Sequence, residues 1–123
     1  MKSVSESNFF STNKTLNIRG RLVDLNMPKV MGILNVTPDS FYDGNRYTTE
    51  KAIGNQVEKM IGEGATFIDV GGYSSRPGAA DVSQDEELKR SVEAIRIIIK
   101  NFPNTLISID TFRSEVARVA IHE

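Results

Sequence analysis

Apolar positions along this chain alternate between two periods. Val30–Val36, Thr66–Val70 and Leu106–Asp110 are short, nearly unbroken apolar runs, the pattern of strands buried in a parallel sheet. Between them the spacing turns helical. Ile53, Val57, Met60 and Ile61 share one face of a predicted first helix, and Leu88, Val92, Ile95, Ile99 and Phe102 share one face of a second. Thr48 or Thr49 is the expected cap of the first, and Gly62 and Gly64 its stop. Gly54 inside it costs some stability without overturning the pattern. Ser83-Gln84-Asp85-Glu86 has the Ser-x-x-Glu spacing of a capping box for the second helix, and Pro103 marks that helix's end. Thr111 is the expected cap of a third helix carrying Val116, Val119 and Ala120. Upstream, Leu16, Ile18, Leu22 and Leu25 alternate roughly with polar residues around Arg19-Gly20, which predicts a small hairpin set off by Pro28.

The predicted organisation is a flexible tail over 1–14, a hairpin over 15–27 and three βα units over 28–123. Parallel strands joined by amphipathic helices build either an open doubly wound sheet or part of a (βα)8 barrel. The pattern alone leaves both open. An intact barrel takes about 250 residues, so a barrel reading places only about three of eight units here.

With 123 residues, 39% of them hydrophobic and 25% charged, the chain can bury one core. The formal net charge of −1, with acidic and basic residues interleaved, gives no basic field for nucleic acid or an anionic membrane. No stretch approaches the ~20 apolar residues of a membrane span, and Met1–Asn13 lacks the apolar run of a signal peptide. The absence of cysteine excludes disulfides and thiolate chemistry. A cytoplasmic protein is the default expectation.

The chemistry gathers where the apolar runs stop. Met31-Gly32-Ile33-Leu34-Asn35-Val36-Thr37-Pro38-Asp39-Ser40-Phe41 and Asp69-Val70-Gly71-Gly72-Tyr73-Ser74-Ser75-Arg76-Pro77-Gly78 both pass from strand into loops of Gly, Pro, Ser, Thr and Asp. Leu106-Ile107-Ser108-Ile109-Asp110-Thr111 repeats the design. Asn35, Asp69 and Asp110 therefore punctuate successive strands at one end, as in a site built at carboxyl strand ends.

These three runs, in this order, resemble the motifs of the dihydropteroate synthase family, and the resemblance extends from about Thr15 to the end of the chain. It implies a TIM barrel that joins dihydropterin pyrophosphate to p-aminobenzoate with Mg2+, releasing pyrophosphate. Asp110 is similar to the family's pterin-binding aspartate; a carboxylate there suits the positive charge left on the ring as pyrophosphate departs, the alternative being a cap for the next helix. Asn35 resembles the residue on the Mg2+–pyrophosphate side, where an amide oxygen can ligate the metal; the alternative is an amide closing a local turn. Arg76 is expected on the leaving phosphate. Phe41 and Pro77 match the apolar wall around p-aminobenzoate. Thr37 and Ser75 fall among the substrate-binding positions, with Ser75 where the family usually has threonine. Tyr73 departs from the family's glutamate. Asp69 reads equally as a structural or a catalytic carboxylate, Asp39 and Asp43 are further metal candidates, and Arg113 and His122 read as solvated helix residues.

The family's later site residues lie beyond these motifs, so this chain alone is expected to be inactive, with a homodimer as an option for the full-length protein. A non-catalytic pterin-binding module and a self-assembling half-barrel are the alternatives.

Overall fold

A computed structural model of the protein describes residues 14–41 and 44–123. The expected tail up to residue 13, and Asp43, lie outside the described residues. Among the described residues eight elements follow in order. β1 (Thr15–Ile18) and β2 (Arg21–Asp24) form an antiparallel hairpin, and β3 (Val30–Asn35), α1 (Arg46–Gly62), β4 (Ala65–Gly71), α2 (Gln84–Asn101), β5 (Leu106–Asp110) and α3 (Ser114–His122) follow as βα units. β3, β4 and β5 are parallel and neighbour one another in chain order.

Alternation along these strands sends two sets of side chains to opposite faces. Leu34, Val36, Ile68 and Val70 are buried on one face and form the main core with Ile53 and Val57 of α1 and Ala94, Ile95 and Ile98 of α2. Met31 and Ile33, on the other face, stay exposed. Helices on a single face of sequentially ordered parallel strands make an arc of a barrel, whereas a doubly wound sheet carries helices on both faces. That decides between the two architectures left open by pattern.

The hairpin covers the amino-terminal end of the inner face. Val23 packs with Phe67 and Leu106, and Ile18 and Leu25 close around them. Arg21 ties the hairpin down by donating to the Asn104 carbonyl at 3.2 Å. With that end covered, the carboxyl ends of β3–β5 are the open end.

Helix boundaries differ from the pattern for identifiable reasons. α1 starts after Asn45, whose side chain accepts from Thr48 N at 3.4 Å, so Asn45 is the cap and neither threonine is. Thr49 is buried instead, its hydroxyl donating to the Phe41 carbonyl. At α2 Ser83 caps as expected, accepting from Glu86 N at 3.2 Å. The Glu86 carboxylate pairs with Arg90, one turn on. The buried residues of α2 are Glu87, Ser91, Ala94, Ile95, Ile97 and Ile98, a stripe about one position round from the predicted face, leaving Leu88, Val92 and Ile99 half-buried. α3 begins at Ser114, with Arg113 at its cap position, not Thr111. Among the described residues no helix is long and apolar enough to cross a membrane.

Candidate functional site

Ladder register sets the site. Asn35 pairs with Gly71, and Gly71 pairs with Asp110, so these residues form the last rung across all three strands. Two rungs below, on the same face, stand Ile33, Asp69 and Ser108. A side chain begun at Gly71 would meet Asp110 Oδ2 at 3.7 Å and Asn35 Oδ1 at 3.9 Å, so the glycine leaves a gap flanked by two side-chain oxygens.

Each of the first two loops then makes a proline-led turn. Ser40 N donates to the Thr37 carbonyl at 3.0 Å, with the Thr37 and Ser40 hydroxyls 2.8 Å apart, so this turn is closed without Asn35. Ala79 N donates to the Arg76 carbonyl at 3.0 Å, and Gly78 has φ +80°. Proline at the second position and a left-handed glycine at the third are what a type II turn demands, so Arg76 stands at its first corner. The two turns face each other across a cleft of about 360 Å³ lined by Asn35, Thr37, Pro38, Asp39, Arg76 and Pro77, among others.

The fold thus gathers Asn35, Thr37, Arg76 and Pro77 in one cleft, with Asp110 on the same rung as Asn35, on the far side of Gly71. Asp110 is exposed and no side chain caps α3, so the helix-capping alternative for Asp110 is not realised. Ser75 is exposed on the second loop and Ser74 lines the cleft in its place. Phe41 is half-buried and packs against the main core.

A hard cation would find an oxygen donor here in the Asn35 amide, with the Asp39 carboxylate also lining the cleft. Among the described residues no group of three or more His, Cys, Asp or Glu is placed to hold a metal. Such a donor set fits Mg2+, which keeps several waters and draws further oxygens from substrate phosphates.

Arg113 is not the solvated residue its sequence position suggested. Its side chain is 19% exposed and donates to Glu87 Oε2 at 2.6 Å and to the Val82 carbonyl at 2.9 Å. Thr111 Oγ1 donates to Glu87 Oε1 at 2.6 Å and accepts from Arg113 N at 3.1 Å. Glu87 is fully buried and both its oxygens are satisfied. The pattern hides this pair because charged residues read as outward-facing. The signal lay in the stripe Glu87, Ser91, Ala94, Ile98, whose lower half is plainly a core face. Gly72 makes the arrangement possible: a side chain there would begin 2.8 Å from Ser91 Oγ and 3.1 Å from the Glu87 carbonyl.

Comparison with known proteins gives a consistent picture. The family described as pterin binding enzyme matches residues 31–123. The dihydropteroate synthase of Streptococcus pyogenes serotype M18 is 51% identical over 102 residues, 83% of this chain and 38% of that protein. The Escherichia coli K12 dihydropteroate synthase is 49% identical over 100 residues, 81% of this chain and 35% of its own length. Among solved structures, Xanthomonas albilineans dihydropteroate synthase with 4-aminobenzoic acid superimposes with a TM-score of 0.75 at 43% identity, covering 89% of this chain and 40% of that one. The chain therefore spans well under half the length of the relatives it matches.

Proposed function

The chain belongs to the pterin-binding enzyme family, and from that membership we propose that it forms the amino-terminal part of a dihydropteroate synthase. The proposed reaction condenses 6-hydroxymethyl-7,8-dihydropterin pyrophosphate with p-aminobenzoate to 7,8-dihydropteroate and pyrophosphate. The observation that carries the reading is the Asn35–Gly71–Asp110 rung opening beneath two facing proline-led turns.

The chemistry follows from charge. As the bond between the pterin methylene and the pyrophosphate oxygen breaks, positive charge develops on the conjugated ring. A carboxylate fixed at a strand end stabilises that charge without having to reorganise. Asp110 has that role in the proposal. Arg76 presents a guanidinium fork to the departing phosphate. The p-aminobenzoate amine attacks the methylene carbon, forms the new C–N bond and releases its proton. Ser75, Pro77 and Phe41 are the proposed contacts to pterin and p-aminobenzoate, with the two loops ordering over the substrates. Mg2+, when bound, would neutralise charge on the pyrophosphate, with Asn35 as its protein ligand and Thr37 beside it.

On this reading the later strands of a longer chain cover the inner face on which Met31 and Ile33 are exposed, and residues 1–123 alone do not turn over. The reading extends to a cytoplasmic enzyme, with a homodimer as the option for the complete protein. It is tested by following pyrophosphate release from the native gene product. Release that depends on p-aminobenzoate is expected. Pterin bound with no such release points to a binding module and overturns the synthase assignment.

A further inference from the structure

We infer that Arg113 is a positioning residue that fixes the second loop, residues 72–83, relative to Asp110. The inference rests on the proposed synthase reading for its kinetic consequence, and on geometry alone for its structural one.

Arg113 sits where four segments meet. One guanidinium nitrogen donates to the buried Glu87 in the first turn of α2, and another donates to the Val82 carbonyl at the far stem of the loop. At the near stem, the same guanidinium lies 5.2 Å from the Tyr73 ring centre and 4.8 Å from that of Phe112. Tyr73 and Phe112 touch each other edge to face at 5.0 Å. The Tyr73 hydroxyl donates to Asp81 Oδ1 at 3.4 Å, joining the two stems directly. Thr111, the residue after Asp110, donates to the other oxygen of Glu87.

Both stems of the loop that carries Arg76 and Pro77 are therefore clamped to the turn that directly follows Asp110. Only an arginine does all of this at once. Its planar fork reaches two acceptors while its face stacks on aromatic rings; a lysine has one nitrogen and no face. Tyr73 takes part through its ring, which gives a physical use to the residue that departs from the family's glutamate. The fully buried Glu87 carboxylate, paired with Arg113 and bonded to Thr111, ties the first turn of α2 to the segment that follows Asp110.

The test compares wild type with Arg113→Met, Arg113→Lys and Tyr73→Leu in the native gene product. Backbone hydrogen exchange is read over residues 74–81 and over the α1 and α2 cores. At least tenfold faster loop exchange is expected in all three variants, with core exchange unchanged in Arg113→Lys and Tyr73→Leu. Steady-state kinetics provide the second readout. The KM for the pterin pyrophosphate should rise at least tenfold in Arg113→Lys, while the affinity for the free pterin changes less than twofold. A merely structural role would lower the amount of active protein and leave KM unchanged. Wild-type loop exchange in Arg113→Lys and Tyr73→Leu overturns the inference, and so does unchanged KM in a turning-over Arg113→Lys. If wild type itself makes no dihydropteroate, the synthase reading fails and the exchange result alone decides the clamp. Should Arg113→Met not fold, Arg113→Lys and Tyr73→Leu carry both readouts.

Discussion

Asn35 and Asp110 face one another across an empty position above Gly71, with Asn35 Oδ1 at 3.9 Å and Asp110 Oδ2 at 3.7 Å from where a side chain would begin. Those distances are ordinary contacts, so alanine fits at 71 without disturbing the strands. Gly71→Ala is expected to leave the melting temperature near wild type. It should weaken pterin binding by about tenfold, because a methyl now stands between the two oxygens, equivalent to roughly 1.4 kcal/mol. The neighbouring glycine behaves oppositely. At 72 the new carbon would lie 2.8 Å from Ser91 Oγ and 3.1 Å from backbone, so Gly72→Ala should cost about 1–3 kcal/mol of stability. Thermal melts and pterin titration of both variants check this; similar melts would contradict it.

The buried pair gives a second expectation. Removing Glu87 leaves the Arg113 guanidinium largely enclosed without its counter-charge, so Glu87→Ala is expected to cost about 3–5 kcal/mol in denaturant unfolding. Thr111→Val removes one donor to the same carboxylate and should cost about 1–3 kcal/mol. A Glu87→Ala loss below that of Thr111→Val would mean that the ion pair contributes little.

Arg76 should discriminate between ligands. Arg76→Ala is expected to weaken the pyrophosphate-bearing substrate by about tenfold or more, the scale of one charge-assisted hydrogen bond, and to spare free pterin. Isothermal titration with both ligands gives the ratio. An unchanged ratio removes the phosphate role.

Surface ion pairs set a small acid response. The Glu123 carboxyl is held below its usual value of 4.5 by hydrogen bonding to Arg96, and Glu115 likewise by Arg118. A carboxyl with a depressed folded-state pKa contributes stability above its unfolded value and loses it as pH falls through the lowered one. Arg96→Ala should therefore lose a small amount of stability at pH 7, where the pair is fully formed, and less at pH 3, so that stability falls less steeply below about pH 4.5. Urea melts at pH 3 and pH 7 check it; a loss at pH 3 equal to or larger than that at pH 7 would contradict the assignment.

How much of this was legible in the sequence depends on which physical rule dominates at each residue. Strand and helix order followed from apolar period alone, because buried faces demand it. The carboxyl-end grouping of Asn35, Asp69 and Asp110 followed from where those runs stop. Pattern could not place the α1 cap at Asn45, since Thr48 and Thr49 are equally good capping types and burial of Thr49 decides between them. Nor could it find the Glu87–Arg113 pair, because its partners lie 26 residues apart and only the α2–α3 packing brings them together. The type II turn at Arg76-Pro77-Gly78-Ala79 was implicit in its residues, but its position facing the Thr37–Ser40 turn is a tertiary fact.

The measurement that bears most directly on the central claim is dihydropteroate formation by the native gene product and its Asp110→Asn and Asp69→Asn variants, with folding verified by circular dichroism. The account predicts product from wild type, and a kcat/KM loss of about a hundredfold or more in Asp110→Asn, the scale of one removed electrostatic contact in the transition state. Asp69→Asn, two rungs farther from the open end, should lose far less. Equal, mild losses in the two variants, or no p-aminobenzoate-dependent product from wild type, would contradict it.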